Sequence, residues 1–180
     1  NRSLFPIYSH PENGHALVIS GVGQVKSAAA AMFLREQLDV KDFAAWINIG
    51  IAGCLKGPVG SIYQALKVVN QESEKSFFPG TSFSKIVLGT PLITVGQPET
   101  DFSNPCLYDM EASGFCEIAP LFSCNELTYV FKIVSDTPED PKSLISKSFV
   151  TSLIEKNKEV IFELVESIDQ LVREEERRLM

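Results

Sequence analysis

The chain has 180 residues, of which 44% are hydrophobic, and a formal net charge of -7 at pH 7. This length and apolar content suffice for one well-filled core, so we predict a single domain over residues 1–180. The acidic balance argues against a nucleic-acid partner, and no apolar run approaches the roughly 20 residues that cross a bilayer.

The four cysteines show no C-x-x-C spacing, and the only two histidines, His10 and His15, lie near the amino end. Such a pattern matches no common metal site. Reduced thiols in a cytoplasmic protein are the simpler interpretation, and we predict neither a metal nor a cofactor.

The first part of the chain predicts a strand, a glycine turn and a helix. Residues up to Gly14 are read as an irregular lead-in or a short edge strand. Ala16–Ser20 is a continuous apolar run, typical of a strand buried on both faces of a parallel sheet. Gly21-Val22-Gly23 then leads into a helix over Gln24–Leu38.

The Gly21–Gly23 turn has two interpretations. Backbone N–H groups at a helix start can hold an anion or a sugar, and Gly23 is a candidate for that contact. The alternative is a tight turn that lets strand and helix pack closely. Lys26 stands where the third glycine of G-x-G-x-x-G belongs, so we do not expect a dinucleotide site.

The middle of the chain alternates strands and loops. Ala44–Ile49 predicts a second buried strand that runs into a second glycine turn, Gly50–Gly53. The segments that follow are a strand, a loop or lid, two short strands and a loop, over Ile62–Val69, Gln71–Lys85, Ile86–Leu88, Leu92–Val95 and Gly96–Pro105.

The last part predicts a helix over Asp109–Phe122, a buried strand over Leu127–Val134 and a helix over Lys142–Leu179. Ser135 and Asp136 come directly after that strand, where open α/β sheets bind ligands. The alternation predicts a three-layer α/β sandwich, whose central mixed, mostly parallel twisted sheet is flanked by helices.

Glu111 and Asp136 are the acids most suited to chemistry. Alone, Glu111 would complement a helix dipole, with Asp109 as the cap, and Asp136 would be a loop or capping residue. Together at one sheet edge they could supply an acid catalyst and a charge stabiliser.

Lys132 is unusual in the apolar run LTYVFKIV. It either lies on an edge strand facing water or is buried beside a carboxylate or a ligand. Alternation places Lys132 and Asp136 on the same side of an extended strand, about 13 Å apart at about 3.3 Å per residue. Asp136 is therefore not its direct partner.

Four segments in order, LVISGVGQVKSAAAA, WINIGIAGCL, YDMEASGF and FKIVSD, resemble the purine nucleoside phosphorylase and nucleosidase superfamily. Within it, the methylthioadenosine and S-adenosylhomocysteine nucleosidases are the most similar branch. The resemblance covers Ala16 to about Asp136, without the family's first strand. It implies a nucleoside ligand and a homodimer.

The resemblance also implies roles for individual residues. Met110 and Glu111 match a pair that contacts the ribose, with the glutamate accepting bonds from its hydroxyls. Asp136 matches the acid that protonates purine N7, and Ser135 the serine before it. Lys132 matches an arginine near the attacking water.

The glycine segment at Gly50, Ile51, Ala52 and Gly53 matches the family's turn beneath the sugar, and Ile51 replaces a serine or threonine that contacts water or phosphate. Asn48 replaces the arginine expected to bind phosphate, which favours hydrolysis over phosphorolysis. We therefore expect a purine-type nucleosidase. The alternatives are a non-catalytic nucleoside-binding or scaffold domain, favoured by Ile51 and the missing first-strand acid, and a nucleoside phosphorylase.

Overall fold

The computed structural model describes residues 4–38, 44–141 and 145–179. Within these ranges the strands are β1 Ile7–Ser9, β2 Ala16–Val18, β3 Trp46–Cys54, β4 Ile62–Asn70, β5 Ser76–Phe77, β6 Leu88–Thr94, β7 Leu107–Asp109 and β8 Thr128–Asp136. The α-helices are α1 Gln24–Gln37, α2 Ala112–Ile118 and α3 Lys147–Leu179, and short 3-10 turns cover Ala119–Leu121 and Asn125–Leu127.

The central sheet closes on itself. Its hydrogen-bonded order is β5-β4-β6-β7-β3-β8, and β8 also pairs with β4. Three of the pairs in the closed part, β3–β8, β4–β6 and β6–β7, are parallel, whereas β3–β7 and β4–β8 are antiparallel. A mixed α/β fold with a central sheet is confirmed. The predicted three-layer sandwich matches only in part, because the antiparallel β4–β8 pair closes the sheet on itself.

The amino-terminal hairpin stands apart from this sheet. β1 and β2 form a separate two-stranded antiparallel sheet. The prediction of a doubly buried parallel strand at Ala16–Ser20 is therefore wrong, and Leu17 is 60% exposed. An apolar run of this length does not reveal whether both of its faces will be covered.

Two predicted loops belong to strands. Gly50–Gly53 continues β3, and Asp136 is the last residue of β8, because the two strands stay paired from Trp46 to Gly53. The glycine turn predicted at Gly50–Gly53 is wrong for the same reason.

Other boundaries also differ from prediction. The two short strands at Ile86–Leu88 and Leu92–Val95 are one strand, β6, whose Pro91 pairs where the β4 register is irregular, a position that tolerates proline. The predicted loop or lid at Gln71–Lys85 contains β5. Residues 142–144 of the last predicted helix lie outside the described residues, and α3 begins at Lys147.

The helix predicted over Asp109–Phe122 is shorter. Leu107–Asp109 forms β7, and α2 begins only at Ala112. The three residues of β7 are fully buried between β6 and β3, so sheet pairing replaces the helix there.

Two clusters of buried side chains pack on opposite faces of β3 and β8. The first joins these strands to α1 and α2, through members that include Ala31, Trp46, Ala52, Ala112, Val130 and Val134. The second joins them to α3, through Ile47, Ile49, Tyr129, Phe131, Leu164 and Ile168. No helix within the described ranges is long and apolar enough to span a membrane.

Candidate functional site

Lys132 lies in the interior, paired with a carboxylate. Its Nζ is 2.8 Å from Asp109 Oδ2, and the side chains of Lys132 and Asp109 are 1% and 0% exposed. β8 is flanked by β3 and β4 at this point, so the edge-strand interpretation of Lys132 is wrong. A Cβ on Gly50, its register partner in β3, would lie 3.0 Å from Nζ. Glycine at position 50 leaves room for the ammonium group.

Asp109 accepts three hydrogen bonds in addition to its ion pair with Lys132. Its Oδ1 accepts a 2.7 Å hydrogen bond from the Thr94 hydroxyl. Its Oδ2 accepts hydrogen bonds from the backbone N–H groups of Glu111, at 3.2 Å, and Ala112, at 2.8 Å. Asp109 lies in β7 and Glu111 is the N-cap residue of α2, yet the Asp109 carboxylate accepts the first backbone N–H of the helix. One buried carboxylate thus fixes Lys132 and the start of α2.

Glu111 reaches across to the amino end of α1. Its Oε1 accepts a 2.9 Å hydrogen bond from the Gly23 backbone N–H. Gly23 has a φ of 106°, in the region that favours glycine, and the peptide it carries points at the carboxylate. Within the described residues the second oxygen, Oε2, has no hydrogen-bond partner. Glu111 therefore keeps one acceptor oxygen for a ligand.

A cluster of uncharged polar groups holds the start of α1 against α2. The Gln24 side-chain oxygen accepts hydrogen bonds from Asn70 Nδ2 at 2.6 Å and from the Ser113 hydroxyl at 2.9 Å. The backbone N–H of Ser113 donates to Thr94 Oγ1 at 3.0 Å. The hydrogen-bonded network therefore runs from α1 through Thr94 to Asp109.

Asp136 lies on the other face of the strand. The β3–β8 register pairs Ala52 with Val134 and Gly53 with Asp136, so Ser135 is an extra residue and forms a β-bulge. A bulge reverses the side-chain alternation, which is why the prediction that Lys132 and Asp136 share a side is wrong. The Ser135 hydroxyl donates a 2.5 Å hydrogen bond to Asp136 Oδ1.

The space beside Asp136 lies above Gly53. A Cβ on Gly53 would lie 3.2 Å from Asp136 Oδ2 and 2.7 Å from Phe102 Cζ. Phe102 is 5% exposed and packs edge-to-face on Tyr108, with 5.5 Å between ring centroids. Met110 packs against the same cluster. The Asp136 carboxylate thus borders an aromatic ring.

The structure joins some of the predicted site residues and separates others. Lys132 and Glu111 meet through Asp109, and Gly23 joins them through Glu111. Asp136 makes no hydrogen bond to Glu111 or Lys132 in the described part of the chain. Of the remaining predicted residues, Gly53 and Ser135 lie next to Asp136, and Met110 packs against the Phe102 cluster. Ile51 and Ala52 precede Gly53 in β3, and Ala52 packs in the cluster on the α1 and α2 face.

Sequence reasoning missed two parts of this arrangement. It assigned Asp109 only a capping role, although the buried Lys132 required a carboxylate close by. It did not single out Phe102. The polar setting of Phe102 between Asp101 and Ser103 gave no sign of burial, and only the glycine at position 53 hinted at a close neighbour.

The Cys116 thiol, which the charges of Asp109 and Lys132 both influence, is buried. The pKa of Cys116 is raised from 9.0 to about 12, mainly by burial; the charge of Asp109 contributes to this rise, whereas that of Lys132 opposes it. No group of three or more potential ligands, His, Cys, Asp or Glu, comes together as a metal site among the described residues. Two surface cavities, of about 310 and 300 Å³, lie near Phe78 and along α3, away from Asp136.

Comparison with solved structures shows what this fold is similar to. The Campylobacter jejuni 5'-methylthioadenosine/S-adenosyl homocysteine nucleosidase aligns over 91% of this chain and 90% of its own, with a TM-score of 0.70 and 12% identity. The futalosine hydrolase of Helicobacter pylori aligns over 91% and 84%, with a TM-score of 0.69 and 13% identity.

A third structure, the Colwellia psychrerythraea methylthioadenosine/S-adenosylhomocysteine nucleosidase in complex with adenine, aligns over 86% of this chain and 81% of its own, with a TM-score of 0.58 and 17% identity. No protein-family model and no curated protein sequence matches the chain. The predicted resemblance to the nucleosidase superfamily is confirmed at the level of the fold.

Proposed function

We propose that the chain hydrolyses the N-glycosidic bond of a purine-type nucleoside. The observation that carries this proposal is the contrast between two carboxylates within a nucleosidase-like fold. Asp109 is bonded on both oxygens, whereas Asp136 has one oxygen held by Ser135 and the other facing the space above Gly53. Asp136 is the carboxyl group placed to exchange a proton with a ligand.

The reaction has three parts. The bond between the anomeric carbon and the base nitrogen breaks, the base leaves with a proton, and water adds its hydroxyl group to the sugar while its remaining proton restores the neutral form of Asp136 over the turnover. Asp136 would supply the proton to the base, which is otherwise a poor leaving group. Such a role requires the neutral form of the acid.

Glu111 would hold the ribose. Its free oxygen can accept hydrogen bonds from sugar hydroxyls, and its negative charge would balance the positive charge that develops on the sugar. The Gly23 N–H fixes the orientation of this carboxylate before any ligand arrives. Met110 and Gly50–Gly53 would contact the sugar from the side of β3, as the resemblance implies.

Lys132 would provide a fixed positive charge near the water. It is anchored by Asp109, and a lysine at this depth keeps its charge only beside such a partner. An ammonium group can orient a water molecule but cannot take its proton, so Lys132 is a positioning group in this scheme. Ile51 contributes no hydroxyl to the same water.

The test is incubation of the protein with a panel of purine nucleosides, with and without phosphate, followed by quantification of free base and free sugar. We expect both products in phosphate-free buffer. Asp136→Asn should lower turnover by about 10²–10⁴-fold, the usual contribution of a positioned acid. Asp101→Asn, in an exposed loop, is the matched control. Base release only with phosphate would replace hydrolysis by phosphorolysis.

A non-catalytic nucleoside-binding domain is the second candidate. It is favoured by Ile51, which has no hydroxyl, and by the commitment of Lys132 to Asp109. Calorimetry separates the two functions: nucleoside binding without any release of base over prolonged incubation would support the binding domain.

The finer expectations on assembly and location are also proposals. A homodimer is proposed from the resemblance to nucleosidases, and sedimentation velocity over a range of protein concentrations tests it. A cytoplasmic location is supported by four free cysteines, Cys54, Cys106, Cys116 and Cys124, in the structure. Fractionation of the producing cells tests the location.

A further inference from the structure

We propose that Gln24 is a positioning residue for Glu111. Its side-chain amide fixes the start of α1 against α2 and thereby holds the Gly23 N–H on the Glu111 carboxylate. The inference rests on the proposed function, because it takes Glu111 as the group that binds the ribose. It adds an uncharged residue of α1 that acts on the ligand only through Glu111.

Two neighbouring residues at the start of α1 bind two residues at the start of α2. The Gly23 N–H donates to Glu111 Oε1 at 2.9 Å, and the Ser113 hydroxyl donates to Gln24 Oε1 at 2.9 Å. Glu111 is the N-cap residue of α2, and Ser113 is the second residue of that helix. The two hydrogen bonds therefore join the same two segments side by side, and a shift of either segment alters both distances.

The polypeptide before Gly23 gives the Glu111 contact little support. Gly21 and Val22 are exposed, and Gly23 is the N-cap residue of α1, with no side-chain cap. Glycine also has more backbone freedom than any other residue. The Gly23 peptide is consequently held in place from the α1 side, where Gln24 is the first residue of the helix.

Asn70, the last residue of β4, holds the Gln24 side chain from a second direction. Its Oδ1 accepts hydrogen bonds from the backbone N–H groups of Glu72 and Ser73, both at 3.0 Å, which leaves Nδ2 to face Gln24. Nδ2 donates to Gln24 Oε1 at 2.6 Å. Gln24 Oε1 thus receives one hydrogen bond from the sheet and one from α2.

α1 and α2 meet backbone to backbone at this point. A Cβ on Gly114 would overlap the backbone oxygen of Gln24 and lie 2.9 Å from its Cα. This contact sets how closely the two segments can approach, but it does not prevent them from sliding or separating. The hydrogen bonds on the Gln24 side chain restrict those movements, and they keep the Gly23 N–H in line with Glu111.

A positioning role and a purely structural role of Gln24 lead to different results. If Gln24 acts through Glu111, its loss should weaken only ligands whose sugar hydroxyls bind Glu111. Adenosine should then bind about three- to tenfold more weakly, the range that one ordinary hydrogen bond spans, whereas 2',3'-dideoxyadenosine should be unaffected. A residue that only fastens α1 to α2 would change the binding of both nucleosides or of neither.

The experiment measures the binding of adenosine and 2',3'-dideoxyadenosine by calorimetry. Gln24→Met keeps the length of the side chain and removes the acceptor oxygen, and it should weaken adenosine alone. Gln24→Glu keeps an acceptor and should bind both nucleosides like the wild type. Asn157→Ala is the matched control, because it also removes two hydrogen bonds of one amide, to Gly60 O at 3.0 Å and Leu153 O at 2.9 Å in α3. It should leave both affinities unchanged.

Two further variants make the test independent of the folding of Gln24→Met, which circular dichroism checks. Ser113→Ala removes the hydrogen bond between Gln24 and α2 at the cost of one oxygen atom, and it should weaken adenosine with the same selectivity. In the Glu111→Ala background, removal of the Gln24 acceptor should cause no further loss. Equal weakening of both nucleosides, unchanged adenosine binding, a further loss in the Glu111→Ala background, or no adenosine binding by the wild type overturns the proposal.

The release of base is scored separately, so that failure of this proposal can be told from failure of the proposed hydrolysis. The expected binding pattern without any release of base would leave the role of Gln24 standing and remove the hydrolysis. Release of base by a protein whose adenosine affinity does not respond to Gln24→Met would remove the role of Gln24 and leave the hydrolysis.

Discussion

Asp109 and Asp136 lie on two strands that flank β3, and their surroundings are opposite. Asp109 is buried, receives three hydrogen bonds and pairs with Lys132. Asp136 is half-buried, receives one hydrogen bond from its neighbour Ser135, and borders the Phe102 ring. Both oxygens of Asp109 are used in contacts within the chain, whereas Asp136 Oδ2 has no hydrogen-bond partner among the described residues.

The difference comes from two local features of the chain. The bulge at Ser135 turns Asp136 away from the face that Lys132 shares with α1 and α2. Gly50 and Gly53, three residues apart on β3, then make room for one side chain on each face, Lys132 and Phe102. Because the two glycines are three residues apart, they lie on opposite faces of β3, one beside the lysine that Asp109 anchors and the other beside Asp136.

The largest expected loss of stability comes from replacing Asp109. Asp109→Ala leaves the buried Lys132 ammonium without its carboxylate and should lower the free energy of unfolding by about 3–5 kcal/mol. Lys132→Met should lower it less, because Asp109 keeps its bonds from Thr94, Glu111 and Ala112. Urea denaturation measures both.

Asp101→Ala serves as the control, since this exposed loop carboxylate should change stability by no more than about 0.5 kcal/mol. A loss for Lys132→Met equal to or greater than that for Asp109→Ala would contradict the assignment of Asp109 as the centre of the network.

A smaller loss of stability is expected when Gly50 or Gly53 is replaced by alanine. Gly53→Ala places a Cβ against the Phe102 ring and should lower the free energy of unfolding by about 1–3 kcal/mol. Gly50→Ala should lower it less, because its Cβ would lie 3.0 Å from Lys132 Nζ, a smaller overlap than that of a Gly53 Cβ with the Phe102 ring. Thermal or urea unfolding of both variants tests this order.

A double-mutant cycle sharpens the comparison. In the Phe102→Ala background the loss caused by Gly53→Ala should fall, since the obstructing ring is gone. An additive double variant would show that Phe102 does not lie over Gly53 in solution.

The sequence predicted the types of the long elements better than their arrangement. The apolar periodicity of α1 and α3 and the runs in β3 and β8 each placed an element in the correct part of the chain. Closure of the sheet could not be predicted, because the β4–β8 pair joins distant segments and depends on strand directions that no local pattern encodes.

The site shows the same limit at the scale of one residue. Lys132 in an apolar run left two interpretations open, an edge strand and a buried cation beside a carboxylate. The YDME segment contained its partner, yet the choice between Asp109 and Glu111 required the register of β7. The Ser135 bulge had no signal, because an extra residue leaves the strand pattern of FKIVSD unchanged until its partner strand is known.

The last expected effect is a dependence of the free energy of unfolding on pH, which involves one buried group on each face of the sheet. Burial raises the pKa of Cys116, beside Asp109, from 9.0 to about 12, and burial on the α3 face raises the pKa of Tyr129 from 10.0 to about 12. Above pH 9 the unfolded chain loses the Cys116 proton while the folded chain keeps it. Stability should therefore fall as pH rises, by at most about 1.4 kcal/mol per pH unit for each group.

Replacing Cys116 or Tyr129 should remove the part of the stability loss at high pH that this residue causes. Cys116→Ala should reduce the decline in unfolding free energy between pH 9 and pH 10, where the unfolded chain still holds most of the Tyr129 proton, while Cys54 and Cys106, whose pKa values burial also raises, maintain part of the decline. Tyr129→Phe should change that interval less and reduce the decline mainly above pH 10. Urea denaturation at half-unit steps from pH 8 to pH 11 measures both slopes. A Cys116→Ala curve parallel to the wild type throughout would mean that the thiol reaches solvent, and that the Asp109 side is less tightly closed than its hydrogen bonds indicate.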